Sequence, residues 1–260
     1  MKRTRILMMA FVAILTIGMV SCGKDDNGNA NGGNGSEQSI TDSLPTPDPG
    51  QDTMQPGPQP QPTPEGWVDL GLPSGLLWAE CNLGANTPEG YGDHFAWGEI
   101  SPKDVYNWNT YLYCNENSPE QLTKYCYDAS YGYNGFIDNL TTLEAMDDAA
   151  SAILGNGART PTDAEWRELL TNCSSTWTTQ NGVKGRIFTG ANGNTLFLPA
   201  AGFRHNSYLD GVSGRGLYWS SSLSMYDPPY ARSIEFNSDA RRMDGNSRSY
   251  GFSVRAVREN

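Results

Sequence analysis

Histidine is almost missing from this chain: His94 and His205 are the only two in 260 residues. That scarcity excludes a His-rich metal centre and leaves few groups for acid–base chemistry near neutral pH. Basic residues are also short, with 18 Lys and Arg against 29 Asp and Glu, for a formal net charge of −11. Phosphate contacts need a basic footprint, so a general nucleic-acid partner is excluded. No cysteine follows Cys173 among the five present, which denies the last third of the chain a thiol nucleophile or thiolate ligand. Long hydrophobic runs are missing too. The longest, Ile6 to Val20, covers 15 residues, too short for a comfortable bilayer crossing.

That run has a different reading. Lys2, Arg3 and Arg5 precede it and Met19-Val20-Ser21-Cys22-Gly23 ends it. The pattern of basic residues, apolar core and small residues resembles a lipoprotein signal peptide over residues 1–21, with a lipobox whose Cys22 is the lipidated residue. Acyl chains contribute about 0.8 kcal/mol per buried CH₂, so several chains on Cys22 anchor a protein firmly. Lys24-Asp25-Asp26 resembles the Lys-plus-acidic tag that sends Bacteroidetes lipoproteins to the exterior face of the outer membrane.

Residues 22–66 form the anchor and a tether. The segment is Asn/Gly-rich from Asn27 to Gly35 and then Pro-rich, with eight of the 16 prolines between Pro45 and Pro64. Such composition does not bury enough apolar surface to offset chain ordering, and Pro58-Gln59-Pro60-Gln61-Pro62 favours extended polyproline II. Asp42-Ser43-Leu44 and Asp52-Thr53-Met54 fit the Asp-Ser/Thr-apolar pattern of Bacteroidetes O-glycosylation, which makes Ser43 and Thr53 candidate glycosylation sites.

Residues 67–260 are expected to fold as one α+β domain of short antiparallel strands and two helices. Strands are expected at Trp67–Leu70, Gly75–Ala79, Arg186–Thr189 and Asn194–Leu198, the last two joined through Asn192-Gly193. Ile234 and Phe236, and likewise Phe252 and Val254, alternate with polar residues as half-buried strands do. A first helix is expected over Thr142–Leu154. A second starts after Pro161, where Thr162 and Glu165 form a T-x-x-E capping box. The Tyr- and Asn-rich stretch from Asn107 to Asn139 is expected to be mostly loop.

Several blocks carry a family resemblance. They include Val68-Asp69-Leu70-Gly71-Leu72, Phe95-Ala96-Trp97-Gly98-Glu99, Arg159-Thr160-Pro161-Thr162-Asp163-Ala164-Glu165-Trp166, Leu198-Pro199-Ala200-Ala201-Gly202 and Tyr218-Trp219-Ser220-Ser221-Ser222. In this order they resemble Bacteroidetes surface lipoproteins related to the Fibrobacter succinogenes major paralogous domain. That resemblance implies a C-type-lectin-like fold of the kind formylglycine-generating enzymes also use. Those enzymes need a late cysteine pair for copper, which this chain lacks. The Glu-Pro-Asn, Gln-Pro-Asp and Trp-Asn-Asp tripeptides of calcium-dependent lectins are absent too. No Gly-x-Ser-x-Gly element occurs either. The expectation is therefore a non-enzyme without catalytic residues, metal or cofactor, and with either one disulfide or buried free thiols.

The region that carries function in this reading is Arg204–Tyr250. Of its 47 residues, 28 are Ser, Arg, Tyr, Asp or Asn, the composition of surfaces that combine rigid aromatic area with adaptable hydrogen bonds. Charge separates it from the rest: Trp67–Pro199 is net −10, whereas Ala200–Asn260 is net +2. The region also resembles the variable regions of proteins targeted by diversity-generating retroelements; an ordinary polar, loop-rich end is the other reading. The candidate contacts are Arg204, His205, Asn206, Tyr208, Asp210, Tyr226, Asp227, Tyr230, Arg232, Asn237, Asp239, Arg241 and Asp244. The expected partners are an unidentified protein or glycan and, through the lipid anchor, the membrane. A structural or accessory subunit of a surface fibre is the alternative role.

Overall fold

The structure is a computed structural model that describes residues 65–260. The signal peptide, Cys22, and Ser43 and Thr53 of the tether lie outside those residues. Among the described residues the chain forms small antiparallel sheets with two α-helices. The strands are β1 (Trp67–Asp69), β2 (Leu77–Ala79), β3 (Ser174–Gln180), β4 (Val183–Thr189), β5 (Thr195–Pro199), β6 (Phe203–His205), β7 (Tyr208–Asp210), β8 (Gly216–Leu223), β9 (Tyr230–Phe236), β10 (Arg241–Ser247) and β11 (Val257–Arg258). They pair as β1-β2-β11, β10-β9-β8, β3-β4-β5 and β6-β7, antiparallel throughout.

Helix α2 (Asp163–Asn172) begins at the expected cap: the Thr162 side chain accepts from the Glu165 N–H while Glu165 accepts from the Thr162 N–H. Its Trp166 and Leu169 are buried, packed in one core cluster with Trp78, Phe188, Ile234 and Phe236. A second cluster gathers Trp97, Tyr125, Trp219 and Phe252. Strand β8 lies between the two, because alternate side chains face opposite ways: Tyr218 enters the first cluster and Trp219 the second.

Three expectations need correction. The helix expected over Thr142–Leu154 is only α1, Ala149–Leu154. Asp148 caps it and also accepts the N–H and hydroxyl of Thr160, while Asp147 is drawn off by Lys124, Tyr113 and Tyr125. Those tertiary partners hold the preceding residues out of the helix. Leu143 packs on the second cluster from a non-helical segment, and Met146 is exposed. Strand β9 is also not half-buried: Ser233 and Glu235 are as covered as Ile234 and Phe236, because polar partners cover the second face. Finally, Phe252–Arg255 is buried on both sides and forms only isolated bridges, with the C-terminal strand starting at Val257.

The β3–β4 connection is a two-residue Asn181-Gly182 turn, both residues at positive φ (48° and 83°), the geometry of a type I′ hairpin. The Asn192-Gly193 pair does connect β4 to β5, but inside a longer loop closed by Gly190 N–H to Asn194 C=O. The Asn107–Asn139 stretch is irregular as expected, yet Tyr111, Leu122, Tyr125 and Cys126 within it are buried. Cys81, Cys114, Cys126 and Cys173 are all free thiols. Burial pushes each thiol up in pKa, which disfavours the nucleophilic thiolate.

His94 is buried, and burial together with the Arg204 charge pushes its imidazole down to about 4. The unfolded chain then binds the proton more readily than the folded one. Stability from this group is complete above about pH 6.5, falls with decreasing pH, and levels off near pH 4. Urea unfolding at pH 7 and pH 4.5 should show a loss of about 2–3 kcal/mol from this residue. His94→Gln should flatten the dependence by that amount; an unchanged pH slope would remove the assignment.

Candidate functional site

The β8–β9 connection, Ser224–Pro229, sits above the start of α2. A turn closed by Tyr230 N–H to Asp227 C=O, with Pro228 and Pro229 inside it, holds this connection. The Asp227 carboxylate accepts from the Tyr131 hydroxyl of the long irregular stretch. Next to Asp227 the chain leaves two large side chains in solvent: Met225 is 67% exposed and Tyr226 is 86% exposed. Adjacent large exposed residues are more informative than a scattered one; Tyr208-Leu209 and Ile153-Leu154 are further such pairs, and Met225-Tyr226 is the most exposed of the three.

Between this connection, Thr141-Thr142 and the start of α2 lies an open groove of about 560 Å³. Asp163 forms part of its wall. Its carboxylate accepts from Arg167 Nε at 2.6 Å and from Arg232 Nε at 2.8 Å. Burial raises the Asp163 carboxyl, but the hydrogen bonds from Arg167 and Arg232 outweigh it and hold the pKa below the usual range. Each arginine thus spends its Nε on Asp163. The Nη groups of both make no hydrogen bond to any described residue. The groove therefore combines an aromatic ring, a thioether and two guanidinium forks with unspent donors. That combination suits ligands rich in acceptors, such as carboxylates or neighbouring hydroxyls.

Of the residues expected from the sequence, the structure brings Tyr226 and Arg232 into this groove. Asp227 and Tyr230 close the turn beside it. A second group stands on the β6–β7 hairpin: His205 Nε2 and Asp210 Oδ2 are 2.5 Å apart, with the exposed Tyr208 ring 5.9 Å from the imidazole. Asn206 makes the tight turn of that hairpin at positive φ and pairs its backbone with Tyr106. Arg204 pairs its backbone with Gly251. The remaining residues do not join the groove. Asn237, Asp239 and Arg241 lie at the β9–β10 turn, the far end of β9 from Tyr230, where the Asn237 side chain caps the turn. Asp244 pairs in register with Ser233, on the face of the sheet opposite Arg232, and meets Arg242.

Sequence reasoning missed Met225, Asp163 and Arg167. Met225 lies inside the Tyr/Ser/Arg-rich region but does not belong to that polar class. Asp163 and Arg167 are an acid–base pair four apart at a helix start, a spacing that signals neighbours on one helix face. Among the described residues no three His, Cys, Asp or Glu side chains gather in a metal-binding group, and no helix is long and apolar enough to cross a membrane. No known family model matches this chain, and no curated protein or solved structure matches it either.

Proposed function

We propose that the chain is a lipid-anchored protein of the bacterial outer membrane, facing the exterior, which holds a C-type-lectin-like binding domain on a Pro-rich tether. It acts by recognition and neither forms nor breaks a bond. The anchor and tether rest on the Cys22 lipobox and the composition of residues 22–66. The binding role rests on one observation: Met225 and Tyr226 stand exposed beside two arginines whose Nη donors are unspent, in a groove large enough for a sugar residue or a peptide side chain.

In this reading the ligand is an acceptor-rich group on a protein or a glycan. One face lies on the Tyr226 ring while its oxygens take N–H donors from Arg167 and Arg232. Screening the full chain on glycan and surface-protein arrays supplies the ligand to titrate. Tyr226→Ala and Arg167→Ala should each weaken binding of the strongest hit by about 10- to 100-fold, the range of a contact at the centre of an interface. Tyr226 is exposed, and the ion pair of the exposed Arg167 with Asp163 is worth only about 0.3–0.5 kcal/mol, so the urea midpoint should shift little in either variant. Wild-type affinity in both variants would remove the groove as the site.

A further inference from the structure

Strand β3 ends its sheet: it pairs with β4 along its whole length, from Ser174↔Thr189 to Gln180↔Val183, and with nothing on its other side among the described residues. The Asn181-Gly182 turn makes Gln180 and Val183 the hydrogen-bonded pair that closes the hairpin. Hydrogen-bonded and non-hydrogen-bonded pairs alternate along an antiparallel ladder. Ser174, Thr176, Thr178 and Gln180 therefore turn their backbone groups toward β4. Ser175, Trp177 and Thr179 turn theirs outward, unpaired.

Exposed edges are normally protected by charges, proline, bulges or extreme shortness. The other edges here show such devices or are covered. β10 carries Arg241, Arg242 and Asp244, β5 ends in Pro199, and β8 is bridged by Gly202, Ser253 and Thr142. β3, Ser-Ser-Thr-Trp-Thr-Thr-Gln, has no charge, no proline, no glycine and no shift in its register with β4. Its β-branched and aromatic residues favour strand pairing.

We propose that β3 is a self-association edge through which two copies of this chain pair antiparallel about Trp177. The sequence is nearly symmetrical about that residue, with Thr176 matching Thr178, Ser175 matching Thr179 and Ser174 matching Gln180. A two-fold axis through Trp177 sets the two tryptophans opposite each other and each Thr176 opposite a Thr178, the hydroxyl and aromatic cross-strand pairs that stabilise sheets. The outward N–H and C=O groups of Ser175, Trp177 and Thr179 then meet their counterparts. No like charges face each other, although the chain as a whole is net −11. One strand pair buries less than the roughly 1,200 Å² of a stable interface, so the dimer is weak and its population rises with protein concentration over the range that sedimentation equilibrium covers.

Sedimentation equilibrium of the full chain in density-matched detergent tests this. The wild type should show a concentration-dependent dimer. Thr176→Lys with Thr178→Lys places lysine against lysine across the axis and should weaken the dimer at least about tenfold. Thr176→Lys with Thr178→Glu places lysine against glutamate and should restore it; because it shares the first substitution, it also controls for folding. A monomeric wild type, a double-lysine variant that dimerises like the wild type, or a charge-swapped variant that stays monomeric would each overturn the proposal.

Discussion

Replacing Arg248 with alanine is expected to lower the free energy of unfolding by about 4 kcal/mol and to abolish ligand binding at temperatures where the chain is still folded. The Arg248 side chain is fully buried, with no carboxylate in hydrogen-bond contact. Its donors go to the Tyr111 hydroxyl at 2.8 Å and to the carbonyls of Tyr125, Pro228 and Lys124 at 3.0–3.1 Å. The guanidinium carbon Cζ lies 5.0 Å from the centroid of the Trp97 ring and 5.2 Å from that of Tyr111. Truncation leaves several buried acceptors unpaired, each costing about 1–3 kcal/mol, and adds a cavity. Removing a buried charge offsets part of this, since its desolvation was itself unfavourable.

The effect on binding has a separate cause. Lys124 and Tyr125 belong to the long irregular stretch, and Pro228 to the connection that carries Met225 and Tyr226. Arg248 therefore ties the connection that forms one wall of the groove to the rest of the domain. Arg248→Lys keeps the charge but has no planar fork to serve four acceptors, and should recover less than half of the lost stability. Urea unfolding measures the first effect and titration of the array-selected ligand the second. Full binding by Arg248→Ala would show that the connection holds its place unaided.

Arg255→Ala should destabilise by a similar amount, about 4 kcal/mol, but leave binding by the folded chain unchanged. Arg255 is also fully buried. It donates to Asn82 Oδ1 through Nε (3.0 Å) and Nη2 (2.7 Å), and to the carbonyls of Ala79, Glu80 and Phe197. It thus joins β2 to β5, and none of its partners lines the groove. Asn82 also donates to the Tyr91 carbonyl and the Tyr218 hydroxyl, so Asn82→Ala should cost about 2 kcal/mol through the same network. The double variant should lose clearly less than the sum of the two, because each single change already strands the other's groups. Additive losses would separate the two residues.

The burial of neither arginine was legible in the sequence. Arg248 lies in the Tyr/Ser/Arg-rich region without being one of the candidate contacts, while Arg255 falls on the polar side of the Phe252 and Val254 alternation, as in a half-buried strand. Burial of an arginine depends on acceptors brought from distant segments: Arg248 meets Lys124 and Tyr125, and Arg255 meets Ala79 and Asn82. Local periodicity holds no record of such partners. The expected helix from Thr142 shows the same limit, since Asp147 and Asp148 answer to Lys124 and Thr160 rather than to their helical neighbours.

The sequence by itself determined the features whose causes are local. Thr162 and Glu165 place the start of α2 because a capping box satisfies the helix's own first N–H groups. The position of Cys173 likewise leaves the last third of the chain without a thiol, whatever the fold. Only the tertiary structure decided which of the polar and aromatic residues of Arg204–Tyr250 stay in solvent. It brought Tyr226 and Arg232 together with Asp163 and Arg167, and moved Asn237, Asp239, Arg241 and Asp244 away from them. The physical reason is that a strand sends its residues to two faces and two ends, while a groove is assembled from separate segments. Composition could mark the region, but which side chains share a wall followed from the register of β9 and the position of α2.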